Sequence, residues 1–290
     1  MNVLEGLNYG KKVLLEAGVE NPLLDAEVIL SHVLGVRRMD LYLEPRRELK
    51  EEEIKTYEAL IEKRSSRIPV AYITGKKEFF TLEFSVKEGV LIPRPETEFL
   101  VEEVLNRISS IKTPKVAELC CGSGAVAISI AFFKKDAIVY ASDISERAGE
   151  VTMLNAAKHG VEDRVRFLRG DLWQPFEKEG LKGFDVVVAN PPYIPSNELE
   201  NLPPEVKKEP REALDGGPDG LDFYRRIITG APKFLKSRGS IVLEIGNDQR
   251  ERVCSFLKGE CFEDIRIIKD YGGFERVIAA SLHAGDGKSE

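Results

Sequence analysis

Val186-Val187-Val188-Ala189-Asn190-Pro191-Pro192-Tyr193 is the stretch that decides how this chain folds. Four β-branched or small apolar residues in a row fit a strand covered on both faces, where no polar alternation is required. Two consecutive prolines then end it, because neither has the N–H that a sheet ladder needs. In an open α/β sheet ligands bind beyond the carboxyl ends of the strands, so an Asn amide and a Tyr ring at that place mark a candidate reaction site.

Working outward, apolar runs of strand length alternate with helical patterns from Lys115 onward: 115–120, 137–142, 164–169, 184–189, 240–245, 262–268 and 275–281. That alternation predicts an α/β fold, a Rossmann-like doubly wound sheet of seven strands. The last two runs are joined through Gly272-Gly273, too short for a parallel crossover, so the final strand is expected to run antiparallel. Farther upstream, Phe80, Leu82, Phe84 and Val86 alternate with polar residues, which reads as a β-hairpin. From Asn8 to about Arg67 the period is helical, with Leu14, Leu15, Ala26, Ile29, Leu30, Val33 and Leu34 at three- and four-residue spacing and Pro22 at a first helical position. The expected organisation is an N-terminal helical bundle over 1–75, a β-hairpin linker over 76–92 and a catalytic domain over 93–290. The bundle carries no metal or nucleophile constellation, so packing or partner recognition rather than chemistry is expected of it, and substrate recognition is the role assigned to it.

Composition narrows the class. Hydrophobic residues make up 42% and charged residues 31%, as in a globular protein, and no apolar run reaches the roughly 18 residues of a membrane span. A cytoplasmic protein is expected. The formal net charge is −7, so a protein that draws its main affinity from a nucleic-acid backbone is disfavoured, and no stable nucleic-acid binding is expected. Cys120, Cys121, Cys254 and Cys261 lack the spacing of a zinc site or a disulfide framework and read as reduced packing residues; no metal is expected.

Glu118-Leu119-Cys120-Cys121-Gly122-Ser123-Gly124 lies between the first strand of the sheet and a helix starting near Ala125. Such a glycine turn lets a ligand approach the backbone closely. About 20 residues later Asp143 ends the second strand, where a carboxylate can accept ribose hydroxyls, and Gly170-Asp171-Leu172 ends the third, placed to meet an adenine. Glu118, Asp143, Asp171 and Asn190 on consecutive strand ends form one expected rim. It suits S-adenosylmethionine better than a dinucleotide, since no second phosphate-binding motif is present.

A methylsulfonium is already activated, so the catalyst must chiefly align an acceptor nitrogen. The lone pair of an amide nitrogen is delocalised into its carbonyl, and two acceptors on its N–H bonds favour it as nucleophile. The Asn190 side-chain oxygen and the Pro191 carbonyl are such a pair; Tyr193 can stack on a flat amide or base, and Pro191 and Pro192 keep the turn rigid.

With these residues in hand, the chain resembles the peptide chain release factor glutamine methyltransferases over almost its whole length. The resemblance is carried by residues 67–75 (Arg67-Ile68-Pro69-Val70-Ala71-Tyr72-Ile73-Thr74-Gly75), by Leu91-Ile92-Pro93-Arg94-Pro95-Glu96-Thr97-Glu98, by the Asn-Pro-Pro-Tyr tetrapeptide, and by Glu209-Pro210-Arg211-Glu212-Ala213-Leu214 with Gly216-Gly217-Pro218-Asp219-Gly220-Leu221-Asp222. It implies an S-adenosylmethionine-dependent enzyme that methylates the glutamine of the Gly-Gly-Gln motif in class 1 release factors. Cys120, Cys121, Gly122, Ser123, Gly124, Asp143, Asp171, Leu172 and Asn190 would contact the cofactor, and Asn190, Pro191, Pro192 and Tyr193 would hold the glutamine. Asn190, Pro191 and Tyr193 are the catalytic set and a monomer is expected. The tetrapeptide alone is shared with adenine methyltransferases, which makes an adenine amino group the alternative acceptor. Two positions depart from the family pattern: Cys120 stands where glycine is commoner, and Leu172 where some relatives carry an aromatic residue, with Trp173 beside it.

Overall fold

A computed structural model describes residues 1–283. Its chain divides into two compact units, Met1–Lys76 with Pro203–Lys208, and Lys77–Leu202 with Glu209 onward. The last seven positions of the expected catalytic domain, 284–290, lie outside the described residues.

Unit 1 contains α1 (Val3–Glu16), α2 (Pro22–Leu34), α3 (Asp40–Leu43), α4 (Glu51–Ser65) and α5 (Val70–Thr74). Helix α1 begins earlier than the apolar spacing predicts because Asn2 and Glu5 make a reciprocal capping box, each side chain accepting from the other's backbone N–H at 3.0 and 2.9 Å. Leu14, Ile29, Leu30, Tyr57 and Ile61 are fully buried together, whereas Leu15, one residue round the helix, is 60% exposed. Arg64, buried on α4, donates to Asp25 at 2.7 Å and to Glu205 at 2.8 Å, and Arg67 donates to the other Glu205 oxygen at 2.8 Å. Burial opposes ionisation of Glu205, but these two guanidinium groups hold its carboxyl below the usual range. Residues 203–208 are thereby fastened into unit 1 by charge-assisted hydrogen bonds.

The hairpin β1 (Lys76–Phe79) and β2 (Leu82–Ser85), which begins at the last residue of unit 1, leads in unit 2 to α6 (Glu98–Ile108), β3 (Lys115–Leu119), α7 (Ala125–Phe133), β4 (Ile138–Asp143), α8 (Glu146–Lys158), β5 (Val165–Arg169) and α9 (Gln174–Lys178). There follow β6 (Phe184–Ala189), α10 (Asp222–Gly230), β7 (Leu235–Glu244), α11 (Arg250–Gly259), β8 (Phe262–Lys269) and β9 (Glu275–Leu282). The sheet order is β5-β4-β3-β6-β7-β9-β8, and β9 pairs antiparallel with both of its neighbours. The expected seven-stranded sheet with an antiparallel last strand is therefore present.

The unbroken apolar run of β6 follows from its central place. Val186 and Val188 pack into one core with α6 and α7, and Val187 and Ala189 into the opposite core with α10 and α11. Each such valine taken from water contributes about 1.5–3 kcal/mol, which fixes the register, since a one-residue slip would exchange the two faces. In that register Leu119 pairs with Ala189 and with Ser142, and Ala189 with Leu243, so β3, β4, β6 and β7 end side by side. The hairpin turns at Phe80-Thr81, both with positive φ (48° and 64°), and sends Phe79, Leu82 and Phe84 into the α6/α7 core. Asn155, fully buried on α8, ties it in: Oδ1 accepts from Ser85 N at 2.8 Å, and Nδ2 donates to Ser85 O and Ser123 O.

Candidate active site

Beyond those strand ends lies a cavity of about 260 Å³, lined by residues of unit 2. Of the residues singled out in the sequence, Cys120, Gly122, Asp143, Asp171, Leu172, Asn190 and Pro192 line it; Cys121, Ser123, Gly124, Pro191 and Tyr193 do not. The non-lining members of the glycine turn shape it from behind. Cys121 Sγ lies 3.6 Å from Thr152 Oγ1, and Ser123 supplies a carbonyl to Asn155. Gly124 has φ 75°, and a Cβ there would come within 2.7 Å of Thr152 Cγ2, so no other residue fits at the entrance to α7. Cys120 itself adopts φ 59°, a conformation that glycine takes without strain, and shows that the turn closes without one. The cysteines are not simply packing residues: Cys120 faces the cavity and Cys261 is exposed. Burial, with Asp143 close by, pushes the Cys120 and Cys121 thiols well up, so they stay protonated and weakly nucleophilic.

Glu118 does not join the rim. It sits on the same strand face as Val116, turned toward α7, where Oε2 accepts the Ala127 N–H at 2.9 Å as an internal cap. Burial pushes its carboxyl well above the usual range. Asp143 does face the cavity. Its Oδ2 accepts from Gly122 N and its Oδ1 from Ser145 N, both at 2.9 Å, which fixes the carboxylate in plane and leaves a lone pair on each oxygen. Burial raises its pKa, and the two amide hydrogen bonds oppose that rise.

At the end of β5, Asp171 pairs with Arg226 of α10 and both line the cavity. Leu172, buried and with φ 47°, supplies an apolar wall. Trp173 is committed elsewhere: Nε1 donates to Ile227 O at 3.2 Å, and the ring stacks on Phe234 with centroids 4.4 Å apart. Leu172, not Trp173, is thus the side chain available to a ring in the cavity. Ile144, directly after Asp143, is a second apolar wall, 61% exposed despite its size.

Asn190 opens the Asn-Pro-Pro-Tyr turn. Its Nδ2 donates to Thr97 Oγ1 at 3.1 Å, which directs Oδ1 the other way, and among the described residues no donor meets that oxygen. Pro191 and Pro192 are buried. The turn is then clamped from three sides. Ile194 N donates to Leu214 O, Gly216 N to Ile194 O, and Gln249 Nε2 to Tyr193 O at 2.8 Å and Gly220 O at 3.1 Å. Burial pushes the Tyr193 phenol up to about 12, so it is a neutral ring throughout the physiological range.

Gly220, at φ 71°, lies so close that a Cβ would strike the Tyr193 carbonyl oxygen. Gly220→Ala is therefore expected to destabilise unit 2 by about 2 kcal/mol through backbone strain, read as a lower denaturant midpoint at unchanged slope. An unaltered midpoint would mean that the turn is not clamped there.

Several lining residues escaped the sequence reading. Glu212 and Ala213 arrive because Glu209, buried, accepts from Ile92 N at 2.9 Å and pairs with Arg94, pinning 209–214 to the segment before α6. Both segments were among those carrying the family resemblance, but nothing in their composition showed that they meet. Arg226 had no signal at all. Ile144 did have one, as a large apolar residue directly after a strand-end aspartate.

Known proteins match this arrangement. A family model described as the PrmC N-terminal domain matches residues 5–75, and one described as the methyltransferase small domain matches 95–277. A release factor glutamine methyltransferase of Clostridium acetobutylicum is 43% identical over 281 residues, 97% of this chain and 98% of that protein. The chain belongs to the release factor glutamine methyltransferase family. A second member of that name, from Moorella thermoacetica, is 40% identical over 97% of this chain and 98% of its own. Among solved structures, a methyltransferase from Pyrococcus furiosus superposes with a TM-score of 0.51 at 17% identity, covering 70% of this chain and 90% of that one, a likeness of fold alone. Both units are thus part of the length shared with the release factor glutamine methyltransferases.

Proposed function

We propose that this protein transfers the methyl group of S-adenosylmethionine to the side-chain amide nitrogen of the glutamine in the Gly-Gly-Gln motif of class 1 peptide chain release factors. The observation that carries the reading is that Asn190, whose Oδ1 meets no donor among the described residues, lines the same cavity as Asp143. The donor set fits the cofactor: a carboxylate with two remaining lone pairs for ribose hydroxyls, apolar walls at Ile144 and Leu172 for an adenine, and acidic groups at Asp143 and Glu212 for a cation, Asp171 being paired with Arg226. When bound, S-adenosylmethionine supplies an electrophilic methyl group on a positively charged sulfur.

The chain's own residues orient the acceptor. Asn190 Oδ1 and the Pro191 carbonyl would accept the two N–H bonds of the glutamine amide, drawing positive charge onto its nitrogen and aiming its lone pair into the cavity. Tyr193 would offer a neutral face for the flat amide, and the two prolines, with Gln249 on the Tyr193 carbonyl, prevent the turn from yielding. No group needs to abstract a proton beforehand, since one leaves the nitrogen as it gains the methyl group. Unit 1 would recognise the release factor, and the protein would act in the cytoplasm as a monomer without stable nucleic-acid binding.

The test is mass spectrometry of a class 1 release factor after incubation with the protein and S-adenosylmethionine. One added methyl group on the Gly-Gly-Gln glutamine is expected. Methyl transfer to DNA or RNA adenine, with the release factor left untouched, would sink the reading.

A further inference from the structure

The reaction just proposed needs the Asn190 amide one way round. Its oxygen must face the glutamine N–H; turned over, its NH₂ would meet another donor. The two orientations have nearly the same shape, so only hydrogen-bond partners can tell them apart. The partner of Asn190 Nδ2 is the Thr97 hydroxyl, which by itself is ambiguous because a hydroxyl can donate as well as accept.

Thr97 ends the 3₁₀ turn Pro95–Thr97 that runs directly into α6; it is 5% exposed and its side chain makes no cap hydrogen bond. It accepts from Asn190 instead, and it lies near enough to the carboxyl group of Glu244 to favour the charged form of that group. Glu244 ends β7, next to the end of β6, since Ala189 and Leu243 are register partners. It is 2% exposed, its backbone carbonyl accepts the Tyr224 hydroxyl at 2.8 Å, and its Oε2 has no hydrogen-bond partner among the described residues. A carboxylate kept out of water with one oxygen unsatisfied is a standing cost to the fold that packing does not explain.

We infer that Thr97 and Glu244 form a relay that fixes the orientation of the Asn190 amide, making both positioning residues for the methyl transfer proposed above, on which this inference rests. An ionised carboxylate only accepts. It takes the single Thr97 hydroxyl proton, which leaves the Thr97 lone pairs to face Asn190, and Asn190 must then answer with its NH₂ group. The Asn190 oxygen is thereby committed to the acceptor side.

The relay has a pH signature. Burial pushes the Glu244 carboxyl up to about 7, with Thr97, Arg276 and Arg94 opposing that rise and Glu96 adding to it. The Tyr193 and Tyr224 phenols also face it, but burial lifts Tyr193 to about 12 and Tyr224 well above its ordinary value, so neither titrates in the same range. Once protonated, Glu244 can donate to Thr97, whose own proton is then free to point at Asn190 and admit the reversed amide.

The experiment compares Thr97→Val, Thr97→Ser and Glu244→Gln with the wild-type protein in two ways. The first is steady-state transfer to a release factor. Thr97→Val, which keeps the shape and removes the hydroxyl, should lower kcat about 10- to 50-fold while KM for both substrates stays within about threefold, and Thr97→Ser should restore kcat. At saturating substrates the wild-type kcat should fall as the pH drops below about 7, and Glu244→Gln should abolish that limb. The second is the Asn190 side-chain amide resonance in the cofactor-free protein, which should shift with pH through the same range in the wild type and stay fixed in Glu244→Gln. Melting curves accompany each variant, and if Thr97→Val does not fold, Glu244→Gln, equal in shape to the native residue, decides the question. A kcat for Thr97→Val within twofold of wild type, or a wild-type Asn190 amide insensitive to pH, would overturn the relay. A wild-type protein that methylates no release factor overturns the functional reading instead, and the amide titration still decides the relay by itself.

Discussion

Asn190→Ala is expected to lower kcat by about 10²- to 10³-fold, the loss typical when one preorganised hydrogen-bonding group is removed from where charge develops. The size follows from the role proposed for the oxygen. In the ground state the glutamine N–H loses one neutral hydrogen bond, about 1 kcal/mol, which bounds the change in release-factor affinity at roughly tenfold. In the transition state the nitrogen becomes positive, and the same oxygen then faces a charged donor, for which the contribution is larger. The substitution should therefore act mainly on kcat, with cofactor affinity also within about tenfold because Asn190 supplies at most one contact on that side. Single-turnover transfer with both ligands saturating measures this directly. Retention of a fifth or more of wild-type turnover would remove Asn190 from its catalytic role.

Asp143→Ala should weaken binding of S-adenosylmethionine by about 10- to 150-fold, the equivalent of about 1.5–3 kcal/mol for hydrogen bonds to a charged group, and leave release-factor binding nearly unchanged. Calorimetry with each ligand separates the two, and equal cofactor affinity in variant and wild type would reject the assignment. Asp143→Asn adds a second, opposite readout. Because burial raises the Asp143 pKa, the folded state binds its proton more tightly than the unfolded chain does. At pH above both pKa values the folded protein therefore holds a charge it disfavours, and this cost is relieved as the pH falls through the folded-state value. Asp143→Asn should thus melt at a higher temperature than the wild type at neutral pH, provided its amide still accepts one of the two backbone N–H bonds, while binding the cofactor less well. Cofactor affinity of the wild type should in turn decline toward acid at a higher pH than an ordinary aspartate would impose.

The parts of this architecture that were legible in the sequence are those where one physical requirement leaves a repeated trace. A strand buried on both faces cannot carry polar residues, so Val186 to Ala189 and its counterparts stand out, and the short Gly272-Gly273 connection excluded a crossover before the last strand. The strand-end residues Asp143, Asp171 and Asn190 were visible for the same reason, as polar residues at the ends of apolar runs. Glu118 looked identical to them. Its direction is encoded in the two-residue period, since it shares a face with Val116, which α7 covers, whereas strand-end position alone does not distinguish it from the rim residues. Thr97, Glu244, Gln249 and Arg226 were not legible, because each acts by meeting a residue tens of positions away, and no local pattern records such a meeting. Tyr193 and Pro191 were recognised from their motif, yet they stand off the cavity wall, as a turn can only present alternate groups to one side.

The hold of Arg64 and Arg67 on Glu205 bears on how far the N-terminal helices can be treated as a portable module. A contiguous fragment ending near Lys76 omits Pro203–Lys208, and with it an anionic partner of a guanidinium that is only 5% exposed. Grafting those helices onto another catalytic sheet, or exchanging them between relatives, carries over an interrupted folding unit. The six-residue strap has to travel with them, so this boundary can be recombined only as two cuts made together.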